Sequence, residues 1–405
     1  MKLKPLIVLL TTLFIYTSCS ETSNDIKTDT DEDKVQIPHF YIDTENNAPI
    51  ASKENYINGT LNIDGGNKYN NFEGAMAVRG RGNSTWKMPK KPFRLKLNKK
   101  ASILGLAAER DWILLANYID PSLMCNAAAM KIGQLLEMPF THHMIPVDVT
   151  LNGRFLGNYM LTEQKEVTEN RIDIGCNGWL LELDRYFDED WQFKSDRFGL
   201  PVMIQHPKLN KRTDAEAQAL YKEIKNDFQT FENLLFEKSF PNNNYLDYFD
   251  ADAFVNYMIV YALTANEEIN LPNSVYMHKK ENGKYTMGPI WDFDWAFGYE
   301  KNYKHFENPY RNLFWPHRAT GKFFFLRIMQ DPAIKDLFKT KWADFKAHKY
   351  PLLIKYLNEY AETIRESQQK DQERWGKYSG SMNKYKTKMI EWLDQRTLYM
   401  DSFME

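Results

Sequence analysis

Residues 266–298, NEEINLPNSVYMHKKENGKYTMGPIWDFDWAFG, decide how the chain is read. The segment opens as a polar loop, Asn266 to Ser274, entered from a mostly apolar helix over Asp252–Ala265. A hairpin follows. Asn282-Gly283 marks its turn, because a tight two-residue turn needs positive φ and these residues accept it most readily. Ser274–Lys280 and Lys284–Ile290 are then the two strands. The segment closes on Trp291-Asp292-Phe293-Asp294-Trp295. Asp292 and Asp294, at i and i+2 of an extended stretch, share one face. Two carboxylates with an amide oxygen suit magnesium. The rival readings of the acid pair are a calcium site and carboxylates that merely cap aromatic packing.

Glu268 and Asn273 are separated by four residues. Protein kinases space a catalytic Asp and a metal-binding Asn in this way, and a short hairpin then leads to a metal-binding Asp. The order loop, hairpin, acid therefore points to phosphoryl transfer. Upstream, Arg79-Gly80-Arg81-Gly82-Asn83-Ser84-Thr85 alternates arginine with glycine, and Lys87, Lys90 and Lys91 follow. Glycine lets a backbone approach a ligand, and arginine grips phosphate oxygens bidentately. The segment reads as a phosphate-binding loop or as a tight turn with solvated charge. Glu163 ends the strand Asn158–Thr162, where it either pairs with a lysine of the basic strand or is a surface carboxylate.

The chain has 405 residues, above the roughly 100–200 usual for one domain, and 14% of them are aromatic, so a large core is within reach. Lys plus Arg, 52, nearly balances Asp plus Glu, 54, so no basic excess calls for a nucleic-acid partner. Lys2 and Lys4 precede an apolar run, Leu6–Tyr16, and then Thr17-Ser18-Cys19. That is the plan of a secretory signal, and the run is too short to span a bilayer as a helix. A cysteine at the exit resembles a bacterial lipoprotein signal, although an ordinary signal with a chance cysteine has the same plan. Residues 1–19 are thus expected to be a signal, with Cys19 lipidated and the protein exported as a membrane-anchored lipoprotein of the cell envelope. Residues 20–36 read as an acidic flexible tether, compatible with the outer surface. Of the other cysteines, Cys125 and Cys176 are either joined or left as free thiols.

Short strands fit Ile37–Ile42, Gly59–Ile63, Ala75–Gly82 and Pro92–Leu97. A hairpin about Asn152-Gly153 joins Val147–Leu151 to Phe155–Thr162, and Trp179–Leu183 is a further strand. A helix is expected after Asp120, with Pro121 at its first position. Ala215–Leu235 is helical, as is most of the chain past Phe323. The fold class is α+β, with a strand-rich lobe over about 37–165 and a helix-rich lobe over about 166–405.

These motifs together resemble the spore-coat protein H (CotH) kinase family, in the branch common among exported Bacteroidetes lipoproteins. The resemblance runs from about Ile37 to Tyr299. It is carried by Arg79-Gly80-Arg81-Gly82-Asn83-Ser84-Thr85-Trp86, Pro89-Lys90-Lys91-Pro92-Phe93-Arg94-Leu95-Lys96-Leu97, Asp111-Trp112, Leu114-Leu115-Ala116-Asn117-Tyr118, Gly157-Asn158-Tyr159-Met160-Leu161-Thr162-Glu163, and Gly288-Pro289-Ile290-Trp291-Asp292-Phe293-Asp294 with Ala296-Phe297-Gly298. It implies an atypical protein-kinase-like fold that binds ATP and Mg²⁺ or Mn²⁺ and phosphorylates Ser or Thr, here of surface or secreted proteins. Under it Lys91 or Lys96 is the nucleotide-phosphate lysine, Arg81 a further phosphate contact, and Glu163 the glutamate that orients the lysine. Asp292 is the metal-binding aspartate with Asp294 beside it, and Asn273 the metal-binding asparagine.

Glu268 stands where active members carry Asp. Its reference pKa is similar, about 4.3 against 3.9. Its extra methylene moves the charge, and a misplacement of ~1 Å costs on the order of a hundredfold in rate. Glu268 is therefore either an adapted base or the mark of a weak or inactive kinase. The alternative function is a surface module that binds a nucleotide, glycan or protein without catalysis. Trp295, Tyr299, Tyr303, Phe306, Tyr310 and Trp315 would then form a stacking surface, unless they pack the core.

Overall fold

A computed structural model describes residues 36–300, 304–376 and 379–403. The signal segment, Cys19, most of the tether and Tyr303 lie outside the described residues. In the first part of the chain apolar and polar residues alternate, and the strand period of two sends each set to its own face. Seven strands form there: β1 (His39–Thr44), β2 (Ile57–Asp64), β3 (Phe72–Gly80), β4 (Phe93–Ala101), β5 (Glu109–Leu115), β6 (Ile145–Leu151) and β7 (Arg154–Glu163). They pair in the order β1-β2-β3-β4-β5-β7-β6, and parallel pairing of β1 with β6, His39 opposite Asp148, closes the barrel. Phe40, Ile42, Leu61, Val78, Leu95, Trp112, Leu114, Val149 and Tyr159 fill its interior. Each such burial contributes about 1.5–3 kcal/mol. The polar alternates Arg79, Arg94 and Asp111 are turned outwards, and this outer wall becomes one side of the functional cleft.

The second half holds another sheet: β8 (Trp179–Leu183), β9 (Gln192–Lys194), β10 (Pro201–His206), β11 (Val275–Lys279) and β12 (Thr286–Met287), in the order β12-β11-β8-β10-β9. Leu181, Leu183, Val275 and Met277 join a large apolar core with α2 (Asp214–Phe236) and α4 (Ala251–Thr264). The opposite face presents Leu180 and Tyr276 to Ile113 of the barrel wall. Two sheets and a helical core make the protein α+β. Thr213 and Glu216 form a capping box on α2, and Asp250 caps α4 through Ala253 N–H. No helix among the described residues is long and apolar enough to cross a membrane.

The expected helix after Asp120 starts later, as α1 (Cys125–Leu135). Leu123 takes a left-handed φ of 56°, which breaks a helix at that point. Asp120 instead spans an irregular turn, accepting from Ser122, Met124 and Cys125 N–H at 2.8–2.9 Å. Cys125 is buried and Cys176 exposed, and both thiols are free, so they are not joined.

After α3 (Tyr245–Tyr248) come α5 (Thr320–Met329), α6 (Pro332–Asp344), α7 (Tyr350–Trp375) and α8 (Met382–Asp401). α7 returns to the barrel. Its buried Asp371 pairs with the buried Lys90 amine and accepts Asn158 N–H of β7 at 2.9 Å. Gly157 lets the strand come this close: its φ is +101° and a Cβ there would stand 2.3 Å from Asp371 Oδ2.

Candidate active site

Between the barrel wall and the second sheet lies a cavity of about 1320 Å³. That exceeds the ~300–1,000 Å³ usual for one small ligand. Arg79, Arg81, Lys165, Glu182, Glu268, Asn273, Asp292 and Asp294 all line it.

The acidic turn after β12 is set by its apolar neighbours. Ile290 and Phe293 are fully buried, which fixes the backbone on either side of Asp292. Asp292 itself has a left-handed φ of 65°, a costly conformation outside glycine. Asn126 of α1 holds the next two residues, accepting Phe293 N–H at 2.9 Å and donating through Nδ2 to Asp294 Oδ1 at 2.6 Å. Asn266, at the end of α4, donates to Asp292 O at 3.1 Å and accepts from Glu268 N–H at 3.1 Å. Across the loop Asn273 Nδ2 donates to Glu268 Oε1 at 2.8 Å. Asp184 accepts from Tyr186 and Ser274 N–H at 2.8 and 2.9 Å and so anchors the loop's far end.

Burial makes these carboxyls hard to ionise. It pushes Glu268 well above the usual carboxylate range, and the Asp292 charge adds to this. Asp292 is raised by burial, against the pull of Arg81 and Lys165. Asp294 is raised to about 8 by burial, with Asp292 and Asp120 adding.

Both cations come from the barrel side, at the ends of two of its strands. Arg81 follows β3, and its guanidinium stands over the Trp291 ring at 5.4 Å. Lys165 lies just past β7 with its amine 4.4 Å from the Tyr276 ring and 4.5 Å from Trp291. Lys165 donates to the Tyr276 hydroxyl, which donates to Glu182, its direct partner across β11 and β8. Burial lowers Lys165 to about 8, and burial raises Glu182. A half-buried lysine, fixed by a tyrosine and a glutamate and accompanied by Arg81, can meet phosphate oxygens.

The structure brings Glu268, Asn273, Asp292, Asp294 and Arg81 together on one cavity. It does not bring Lys91, Lys96 and Glu163 there. Lys91 Nζ donates to Trp86 O at 2.5 Å and lies over that ring. Lys96 stands 5.9 Å from the Tyr56 ring at the cavity's edge. Glu163 accepts from His143 N–H at 2.9 Å and bonds its Nδ1 at 2.6 Å, so it orients no lysine. β7 ends at Glu163, and two residues later the turned chain delivers Lys165 to the cavity. Sequence reasoning missed Lys165, Glu182 and Asn126. The available signals were an acid inside the apolar strand Trp179-Leu180-Leu181-Glu182-Leu183 and an amide inside Cys125-Asn126-Ala127-Ala128.

Among the described residues no cluster of three or more His, Cys, Asp or Glu side chains could hold a metal ion. The donor set here is of another kind, two carboxylates and an amide. Asn273 Oδ1 is buried with no hydrogen-bond partner, while its Nδ2 is engaged. An all-oxygen set with few protein ligands fits magnesium, which keeps several waters.

A barrel and a second sheet thus enclose an oxygen-rich centre flanked by two half-buried cations. A family model described as CotH kinase protein matches residues 78–400, and the chain belongs to the CotH kinase family. No curated protein matches the chain.

Proposed function

We propose that this protein is an atypical, metal- and ATP-dependent kinase with a protein-kinase-like arrangement, acting on Ser or Thr hydroxyls of surface or secreted proteins. The observation that carries this reading is the meeting of Glu268, Asn273, Asp292 and Asp294 with Arg81 and Lys165 on one cavity. Family membership supports it. Asp292, Asp294 and Asn273 would hold Mg²⁺ or Mn²⁺. The bound ion supplies charge neutralisation to the phosphates. Lys165 and Arg81 bind phosphate oxygens, with Glu182 and Tyr276 holding the lysine in place. Glu268 takes the proton of the acceptor hydroxyl as the new O–P bond forms and the bond to the β-phosphate oxygen breaks, releasing ADP. Burial raises this carboxyl above the usual carboxylate range, and once ionised it is the stronger base for that. Lys91, Lys96 and Glu163 have no part in this reading.

Export as a lipoprotein anchored through Cys19 belongs to the same proposal. It rests on the sequence of residues 1–19.

A binding-only surface module remains the second reading. It is favoured by Trp295, 40% exposed on the cavity wall and stacked on Tyr299 at 6.4 Å. Trp315, by contrast, bonds Glu267, and Phe306 packs on the core. Calorimetric titration with Mg²⁺-ATP and with glycans separates the two. Saturable nucleotide binding that Asp292→Ala weakens supports the kinase. Glycan binding without nucleotide binding would overturn it.

A further inference from the structure

Arg79 and Arg94 are direct cross-strand partners on β3 and β4, both turned into the cavity. Like charges directly opposite destabilise a sheet. The neighbouring charges are nearly all matched. Arg94 donates from Nε and Nη2 to Asp111 Oδ1 at 3.0 and 2.7 Å. Arg171 pairs with Glu166 at 2.9 Å, and Lys100 with Glu109 at 3.0 Å. At the rim Lys53 donates to Asn83, and Glu54 accepts from Ser52. Arg79 has no such partner. Among the described residues nothing accepts a hydrogen bond from its guanidinium, and its Nε is buried and unpaired. Its one neighbour of note is the Tyr56 ring at 5.1 Å, with Lys96 at 5.9 Å from the same ring. A preformed guanidinium fork with an orphaned N–H, beside a second arginine, is built to receive an oxyanion.

We propose that Arg79, with Arg94 beside it, is a second anion subsite, which takes the acidic side chain of a residue flanking the acceptor hydroxyl. The anion is a carboxylate or a phosphorylated residue. This rests on the phosphoryl-transfer reading of the cavity. Arg81, at the inner end, stands on Trp291 and faces Asp292 and Asp294. Arg79 lies two residues back along β3, roughly 7 Å at the usual rise. It stacks on Tyr56, beside the exposed Glu54 and Asn83 at the open edge. The nucleotide phosphates belong to the inner centre, and the acceptor enters past Arg79. The cavity volume leaves room for both.

The test uses the full chain saturated with Mg²⁺ and a non-hydrolysable ATP analogue, with O-phosphoserine and a short glutamate-rich peptide as separate calorimetric probes. At least one probe binds the wild-type complex, and Arg79→Gln weakens it about tenfold or more while changing nucleotide affinity by less than about twofold. Which probe binds tells a phosphorylated flanking residue from a carboxylate. Arg79→Lys, which keeps the charge but loses the fork, recovers only part of the affinity. Competition between probe and nucleotide, failure of both probes to bind, or equal affinity in Arg79→Gln overturns the subsite. If the wild type binds a probe through Arg79 but binds no nucleotide, the kinase reading falls and the anion site stands.

Discussion

Asn126 and Asp294, 168 residues apart in sequence, are joined by a 2.6 Å hydrogen bond from the amide to the carboxylate. The same carboxamide accepts Phe293 N–H, so one side chain of α1 sets both the backbone and the second carboxylate of the acidic turn. Asn126→Ala should leave a folded protein with phosphoryl transfer reduced about 10–100-fold, the usual effect of losing a residue that orients a metal ligand. Steady-state kinetics over a magnesium titration checks this, because the loss should shrink as magnesium is raised.

Lys165, not Lys91, is expected to carry nucleotide affinity. Lys165→Met should weaken Mg²⁺-ATP binding at least about tenfold, since it removes a charge-assisted contact to phosphate. Lys91→Met, which loses only a bond to Trp86 O, should bind as the wild type does. Parallel calorimetric titrations of the two variants decide between the lysines.

The pH dependence follows from Lys165. It is a cation below about 8, so nucleotide affinity should hold below that pH and fall as pH rises through it. Stability moves the other way. The unfolded lysine keeps its proton up to about 10.5, so between about 8 and 10.5 the unfolded state binds more protons and stability from this group rises with pH. Glu268 has the opposite sign. Its raised carboxyl pKa means stability is lost as pH rises above the ordinary glutamate value, and transfer gains as the base ionises. Affinity titrations and denaturant unfolding over the same pH series read these effects separately.

The acidic turn and the polar loop were legible because each is a local pattern: a hairpin signal, an i and i+2 acid pair, and a fixed loop spacing. The hairpin differs in detail from the expected two-residue Asn282-Gly283 turn. Its strands pair only at Met277–His278 and Thr286–Met287. Gly283 N–H bonds Lys280 O at 2.9 Å, which puts Glu281 and Asn282 at the centre of the turn, with positive φ at Asn282 but not at Gly283. Barrel strands were legible from alternation, as in Phe93-Arg94-Leu95-Lys96-Leu97. The basic partner was not. Glu163 and Lys165 are two residues apart, and nothing local shows that the strand ends between them and turns the lysine inwards. Glu182 and Asn126 become functional candidates only when α1, β8 and the acidic turn meet, which is a property of the tertiary fold. Asp120 misled for a related reason. It was expected to cap a helix with Pro121 at its first position, but the helix begins at Cys125, after the left-handed Leu123, with Met124 as its N-cap, and Asp120 holds the turn before it.

The barrel and helical core are locked by the buried pair Lys90 and Asp371, whose side chains are 0% and 1% exposed. Lys90→Met should destabilise the protein by about 3–5 kcal/mol, because it strands a buried carboxylate. Lys90→Met with Asp371→Leu should recover most of that loss. Urea unfolding of the single and double variants measures the difference.

Transfer of label from γ-labelled ATP in Mg²⁺ or Mn²⁺ tests the central claim most directly, with the wild type beside Asp292→Ala and Glu268→Gln. Label on a protein hydroxyl with the wild type, lost in Asp292→Ala and strongly reduced in Glu268→Gln, is the predicted result. Undiminished transfer by Asp292→Ala, or no transfer by a wild type that binds Mg²⁺-ATP, would contradict it.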